Sequence, residues 1–93
     1  MPMQHVAVRF EGIPQDPSLE AAVERWVARL ESRLVVERIE VTISAGRLGT
    51  TVRVVTGAIS PISATRPDPY VAVSDAFRAI RRRMIDRDCA LAS

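Results

Sequence analysis

The sequence predicts an α+β fold, a two-layer sandwich in which two helices pack on one face of a four-stranded mixed sheet. Short segments alternate apolar and polar residues with the period of a strand, and two longer segments repeat apolar residues with the period of a helix. These segments follow one another in the order β-α-β-β-β-α. Because the chain has 93 residues, it can enclose only one core, and we expect a single domain over residues 1–93.

The first strand and the first helix are separated by a loop that contains a glycine and two prolines. Residues 4–10 alternate, with Val6, Val8 and Phe10 on one face. Asp16 followed by Pro17 predicts a helix start, since the carboxylate accepts from free N–H groups and proline suits the first helical position. The apolar stripe of this helix consists of Leu19, Val23, Trp26, Val27, Leu30 and Leu34.

Three further strands are predicted between the helices. Residues 35–44 form the second strand, and Gly46 and Gly49 mark a turn before a third strand at 50–59. A short fourth strand is expected around Ile62 to Thr65. The crossover through the first helix makes the first two strands parallel, and the short later loops make the remaining strands antiparallel.

The second helix is predicted to begin in the same way as the first, with Asp68 as the N-cap residue and Pro69 as the first helical residue. Its predicted buried face consists of Tyr70, Val73, Phe77, Ile80 and Met84. We expect Trp26, Tyr70 and Phe77 to be core residues, which leaves few aromatic rings to stack on nucleic-acid bases.

All 13 basic residues are arginines. A genome rich in arginine codons would explain the absence of lysine, so only the placement of the arginines can indicate a function. Six of the 13 fall on one flank of a predicted helix, three on each helix, and Arg83 lies on the opposite shoulder of the second. The flank residues are Arg25, Arg29 and Arg33 on the first helix and Arg78, Arg81 and Arg82 on the second.

Two interpretations of these flanks remain open. In the first, the arginines are solvated: Asp75 and Asp86 lie within helical reach of Arg78 and Arg82, and Arg81 to Arg83 are favoured by the dipole at a helix C-terminus. In the second, the guanidinium groups donate hydrogen bonds to the phosphates of structured RNA.

The sequence contains no recognisable spacing of catalytic or metal-binding residues. The only histidine, His5, and the only cysteine, Cys89, lie near opposite ends, and His5 is expected to be an exposed strand residue. The two turn glycines lack the Lys-Ser or Lys-Thr of a phosphate-binding loop. We therefore expect no enzyme, no metal and no cofactor. No apolar run is long enough for a membrane span, so we expect a cytoplasmic protein.

Four segments follow the pattern of a known family. They are DPSLEAAVERWVARLESRL at 16–34, RIEVTIS at 38–44, PISAT at 61–65 and DPYVAVSDAF at 68–77. In that order they resemble the ribosome hibernation-promoting factors, also called protein Y or ribosome-associated inhibitor, in their short form. The last segment is the most specific and is similar to the family's Asp-x-Tyr-Ala-Ala-Ile-Asp signature.

The resemblance implies four strands with two helices on one face, and a stress-response factor that binds the small ribosomal subunit in the channel for messenger and transfer RNA. The six flank arginines would then contact ribosomal RNA. Arg82 stands where the family commonly has a basic residue, whereas Ala79, Ser74 and Ser63 stand where it has Lys, Asp and His. Longer members of the family carry a C-terminal domain that dimerises and so pairs ribosomes. The sequence lacks this domain, and we expect no ribosome pairing through it.

A second hypothesis comes from a different class of function. The chain could be an interaction domain that binds no nucleic acid, with a homodimer formed through the open sheet face or an edge strand. Val55 and Ile59 support this hypothesis, because both are predicted on the face opposite Val52 and Val54.

Overall fold

The computed structural model describes residues 5–57 and 59–92, with side chains described as far as residue 87. The first residue of the predicted strand at 4–10, residue 58 and the side chain of Cys89 lie outside that part. The elements are β1 (Val6–Glu11), α1 (Pro17–Glu31), β2 (Ile39–Gly46), β3 (Gly49–Thr56), β4 (Ile62–Arg66) and α2 (Pro69–Ala92). This order confirms the predicted β-α-β-β-β-α arrangement.

The four strands form one mixed sheet in the order β1-β2-β3-β4. β1 and β2 are parallel, and the other two pairs are antiparallel, as predicted. The register places Val8, Val41, Val54 and Ile62 in one row across the sheet. Because side chains alternate between faces, this row and its inward neighbours form a continuous apolar face.

The core lies between that face and the two helices. Phe77 of α2 is fully buried at its centre, together with Ile39, Ile43 and Ile80. α2 contacts β3 and β4, whereas α1 contacts β1 and α2. Each fully buried side chain of this kind stabilises the fold by about 1.5 to 3 kcal/mol relative to exposure. The packing therefore fixes the two helices side by side on one face of the sheet.

Three boundaries differ from the sequence prediction by three residues or more, and one of them is the end of β3, at Thr56 instead of residue 59. α1 ends at Glu31 and not at Leu34; the Ser32 hydroxyl donates to the Arg29 carbonyl at 2.7 Å, a local bond that competes with helix continuation. β2 begins at Ile39 and not at residue 35, because the first residue of β1, Val6, pairs with Ile39. The preceding Val35 is 91% exposed.

The predicted environments of His5 and Ile59 are wrong. His5 is half-buried just before β1, with Nε2 2.9 Å from Oε1 of Glu31 at the end of α1, and is not an exposed strand residue. Ile59 packs against the core and does not lie on the open sheet face. β3 ends at Thr56, so the alternation that would place Ile59 outward does not extend to it.

The sheet face that the helices leave uncovered is mostly polar. Val55 is its largest apolar side chain and is half-buried, between Glu40 of β2 and the edge of the sheet. The outward positions in the four strands are Ala7, Arg9, Glu11, Glu40, Thr42, Ser44, Thr51, Arg53, Val55, Ser63 and Thr65.

Candidate functional site

α1 and α2 leave a groove between them on the outer surface of the helical layer. Four of the six predicted arginines lie along this groove, two from the α1 side and two from α2. The interhelical groove is lined by Trp26, Arg29, Leu30, Ser32, Arg33, Leu34, Arg78, Arg81 and Ile85.

Trp26 forms the floor of the interhelical groove. Its ring stacks on the buried ring of Phe77, with centroids 6.3 Å apart and an interplanar angle of 16°. Above it, the guanidinium carbons of Arg29 and Arg78 lie 5.0 Å and 5.9 Å from the Trp26 centroid. Cation–π contacts of this kind contribute roughly 0.5 to 1 kcal/mol each at exposed sites. One tryptophan thus orients two arginines that come from different helices.

The other four predicted arginines occupy different places. Arg33 lies in the turn that follows α1 and still lines the interhelical groove, as does Arg81 of α2. Arg25 lines a neighbouring pocket beside Tyr70. Arg82 lies on the outer side of α2 with Arg78, Arg81 and Asp86. The six arginines therefore form one surface, with a central group of four and one arginine at each margin.

One of the two acidic residues expected beside this surface is bound elsewhere. Asp75 Oδ2 accepts from Arg66 Nε of β4 at 2.8 Å, so the predicted neutralisation of Arg78 by Asp75 is wrong. The pairing depends on β4 lying against α2, which spacing along the helix does not reveal. Among the side chains that the structure describes, none of the six arginines forms an ion pair.

The helix-dipole explanation for Arg81 to Arg83 is also wrong. α2 continues to Ala92, so these arginines lie in the middle of the helix. The dipole acts on charges in the last turn and falls off beyond it. Arg81 to Arg83 therefore lack the helix end that would explain them. Asp86 lies near Arg82, but the described ion pairs include none between them.

Two aromatic residues were missed as components of the site. Tyr70 was predicted in the core but is 46% exposed. It shares a pocket with Ala22 and Ala28 of α1, whose short side chains cannot cover the ring. Trp26 was predicted as core and is half-buried at the edge of the apolar stripe. Its neighbour Arg29, one helical turn away, is the sequence signal that could have placed it in the site.

The described residues contain neither a metal-binding cluster nor a helix that could span a membrane. No group of three or more histidine, cysteine, aspartate or glutamate side chains within them could hold a metal ion. Neither helix, over the same residues, combines the length and apolar character that spanning a bilayer requires.

The fold and site define a small α+β domain with an arginine-rich helical layer. Residues 6–88 match the model of a family described as Sigma 54 modulation protein / S30EA ribosomal protein. The match covers most of the chain, so the chain belongs to this family. The resemblance to the hibernation-promoting factors is confirmed.

Solved structures show the same fold. A ribosomal subunit interface protein from Coxiella burnetii superposes with a TM-score of 0.76 at 16% identity, covering 92% of this chain and 99% of that one. The protein Y N-terminal domain of Thermus thermophilus gives 0.71 at 16% identity, covering 84% and 91%. No curated protein sequence matches the chain. The family indicates a ribosome-associated factor of the hibernation class, which is not a known family of enzymes. The two solved structures show that the fold is shared.

Proposed function

We propose that the chain inhibits translation by binding the RNA of the small ribosomal subunit through its helical arginine surface. The residues of this surface are Arg25, Arg29, Arg33, Arg78, Arg81 and Arg82. The observation that supports the proposal most strongly is the pair Arg29 and Arg78, which two different helices hold over the single ring of Trp26. Ribosome binding would place the protein in the cytoplasm.

The chemistry of the surface suits phosphates in a folded RNA. A guanidinium group presents a planar set of N–H donors that can contact phosphate oxygens in a bidentate manner. Because Arg29 and Arg78 already contact Trp26, part of their conformational freedom is lost before binding, which lowers the entropic cost of recognition. Contacts of this type position a protein on RNA by shape and charge, without reading its sequence.

The proposed mechanism is occlusion. A protein seated on the small subunit in the channel for messenger and transfer RNA would exclude both, and the ribosome would be stored in an inactive state. The protein needs no catalytic group for this role. The affinity would depend on the number of phosphate contacts and would therefore fall steeply with salt.

The test is co-sedimentation of the purified protein with small ribosomal subunits at two salt concentrations. The test variant reverses the charge of Arg25, Arg29, Arg78 and Arg82 to Glu. The control variant reverses Arg9, Arg38, Arg47 and Arg53, which are exposed and lie outside the helices. Both variants change the net charge equally, and circular dichroism confirms that each is folded.

We expect the wild type and the control variant to co-sediment at low salt, less so at high salt, and the test variant to remain in the supernatant. Equal loss of binding in both variants would show that net charge alone attracts the protein to RNA. An absence of wild-type binding at low salt would contradict the proposal.

A further inference from the structure

Tyr70 is the one exposed ring among the four aromatic side chains, all of which the structure describes. Phe77 is buried, and Phe10 and Trp26 are half-buried. The tyrosine pocket, which lies beside the interhelical groove, is lined by Ala22, Arg25, Trp26, Ala28, Arg29 and Tyr70.

The position of Tyr70 is fixed by the start of α2. Its backbone N–H donates to Asp68 Oδ1 at 2.8 Å, and the Ala72 N–H donates to the Asp68 carbonyl at 3.0 Å. The first turn is therefore closed, and the ring projects from backbone that is already ordered. A preorganised ring loses little conformational entropy when a planar ligand stacks on it.

The pocket combines one exposed ring with two cations. Arg25 and Arg29 lie one helical turn apart on α1, and both line the pocket with Tyr70. Its volume of about 380 Å³ falls within the roughly 300 to 1,000 Å³ range of small-molecule sites. Trp26 is less suitable for stacking, because Phe77 and the two arginines already occupy positions over its ring.

We propose that the tyrosine pocket binds one unpaired RNA base, stacked on Tyr70, with Arg25 and Arg29 on its flanking phosphates. This inference rests on the proposed function and adds base recognition to it. An unpaired nucleotide supplies both features that the pocket matches, a planar π-face and a phosphate on either side. The interhelical groove would then follow the RNA backbone, and the tyrosine pocket would select a site where a base is not paired.

The test uses two RNA hairpins that carry the same single-nucleotide bulge, one with its base and one abasic. The abasic RNA keeps every phosphate and removes only the stacking partner. Two variants are compared with the wild type: Tyr70→Phe keeps the ring, and Tyr70→Leu keeps apolar volume without a π-face. Thermal unfolding confirms that both variants are folded, and fluorescence anisotropy gives each affinity.

We expect the wild type and Tyr70→Phe to bind the base-containing bulge at least about fivefold more tightly than the abasic bulge, the lower range for one stacked base. Tyr70→Leu should bind both RNAs with the abasic affinity. Equal affinities of the wild type for the two RNAs, or an unchanged preference in Tyr70→Leu, would overturn the inference.

Failure of the stacking inference can be distinguished from failure of the proposed function. Arg29→Glu with Arg78→Glu should weaken binding to both hairpins equally, because phosphates are common to them. If the wild type binds neither hairpin, the stacking inference fails. Co-sedimentation with small subunits then decides independently whether the arginine surface binds ribosomal RNA.

Discussion

Trp26 connects the interior of the protein to its arginine surface. Its ring contacts Phe77, which is fully buried, and it also contacts the guanidinium groups of Arg29 and Arg78 on the surface. Because the ring is held by the core, its contacts restrict the conformations of the two arginine side chains. The same residue thus contributes to folding and to the geometry of the site.

Replacement of Trp26 by Leu should weaken RNA binding without any change in charge. Arg29 and Arg78 lose the ring that orders them, and fixing each side chain again on binding costs roughly 0.5 to 1.5 kcal/mol, so we expect the affinity for small subunits to fall at least about fivefold. The slope of log affinity against log salt should stay nearly the same, because no phosphate contact is removed. Trp26→Phe is the matched control and should retain most of the affinity. A reduced slope in Trp26→Leu would contradict this assignment.

Gly49 is required both by its backbone conformation and by the backbone packed against it. Its φ is +121°, and a Cβ there would overlap the backbone of Arg66, which pairs near it across β3 and β4. Gly49→Ala should lower the free energy of unfolding by at least about 2 kcal/mol, from backbone strain and overlap together. Urea denaturation measures the loss. Gly46→Ala is the control at the other end of the same turn, where a Cβ meets nothing within 4 Å; a comparable loss there would refute the explanation.

The start of α1 shows what a local element contributes. The Ser18 and Leu19 N–H groups donate to Asp16 Oδ1 at 2.9 and 3.3 Å. Asp16→Ala should lower the free energy of unfolding by about 1 kcal/mol, because two donors at the helix start lose their partner. Asp16→Ser keeps a capping oxygen and should be close to the wild type in the same urea titration. An equal effect of both substitutions would indicate that capping is not the cause.

Helix starts could be predicted from the sequence, whereas the start of β2 and the end of α1 could not. Asp16 with Pro17 and Asp68 with Pro69 each specify a start within a few residues, and the structure confirms both. The start of β2 instead depends on where β1 offers a partner. The end of α1 depends on a side-chain bond from Ser32. Such constraints arise from contacts that periodicity does not encode.

The candidate site, too, could be predicted from the sequence only in part. Five of the six arginines could be grouped by helical spacing alone, because spacing determines the face on which a side chain lies, whereas Arg33 follows the end of α1. The pairing of Asp75 with Arg66 required the position of β4 relative to α2. The exposure of Tyr70 required knowledge that alanines of α1 lie beside it. Sequence therefore predicts the members of the surface, and tertiary packing determines which of them remain unpaired.

At the scale of the whole molecule, the two faces of the sandwich differ in charge. The helical layer carries arginines without described acidic partners. The open sheet face carries Arg9 and Arg53 together with Glu11 and Glu40. Exposed acidic residues such as Glu24 also lie in the helical layer, but exposed arginines outnumber them there. A face with a net positive charge attracts phosphate over about 8 Å at physiological ionic strength, whereas a balanced mixture of signs produces little net field. The asymmetry favours the helical layer as the side that approaches RNA.

The open sheet face is a poor candidate for a dimer interface. Specific interfaces bury more than about 1,000 Å² of total surface around an apolar core. Here Val55 is flanked by Glu40 in the register and by polar neighbours along β3, and Ile59 packs into the core. We therefore expect sedimentation equilibrium to give the monomer mass across a hundredfold range of concentration. Val55→Arg should leave that mass unchanged, since the side chain contributes to no interface. A concentration-dependent dimer that Val55→Arg dissociates would instead support the interaction-domain hypothesis, in which the arginines of the helical layer are only solvated.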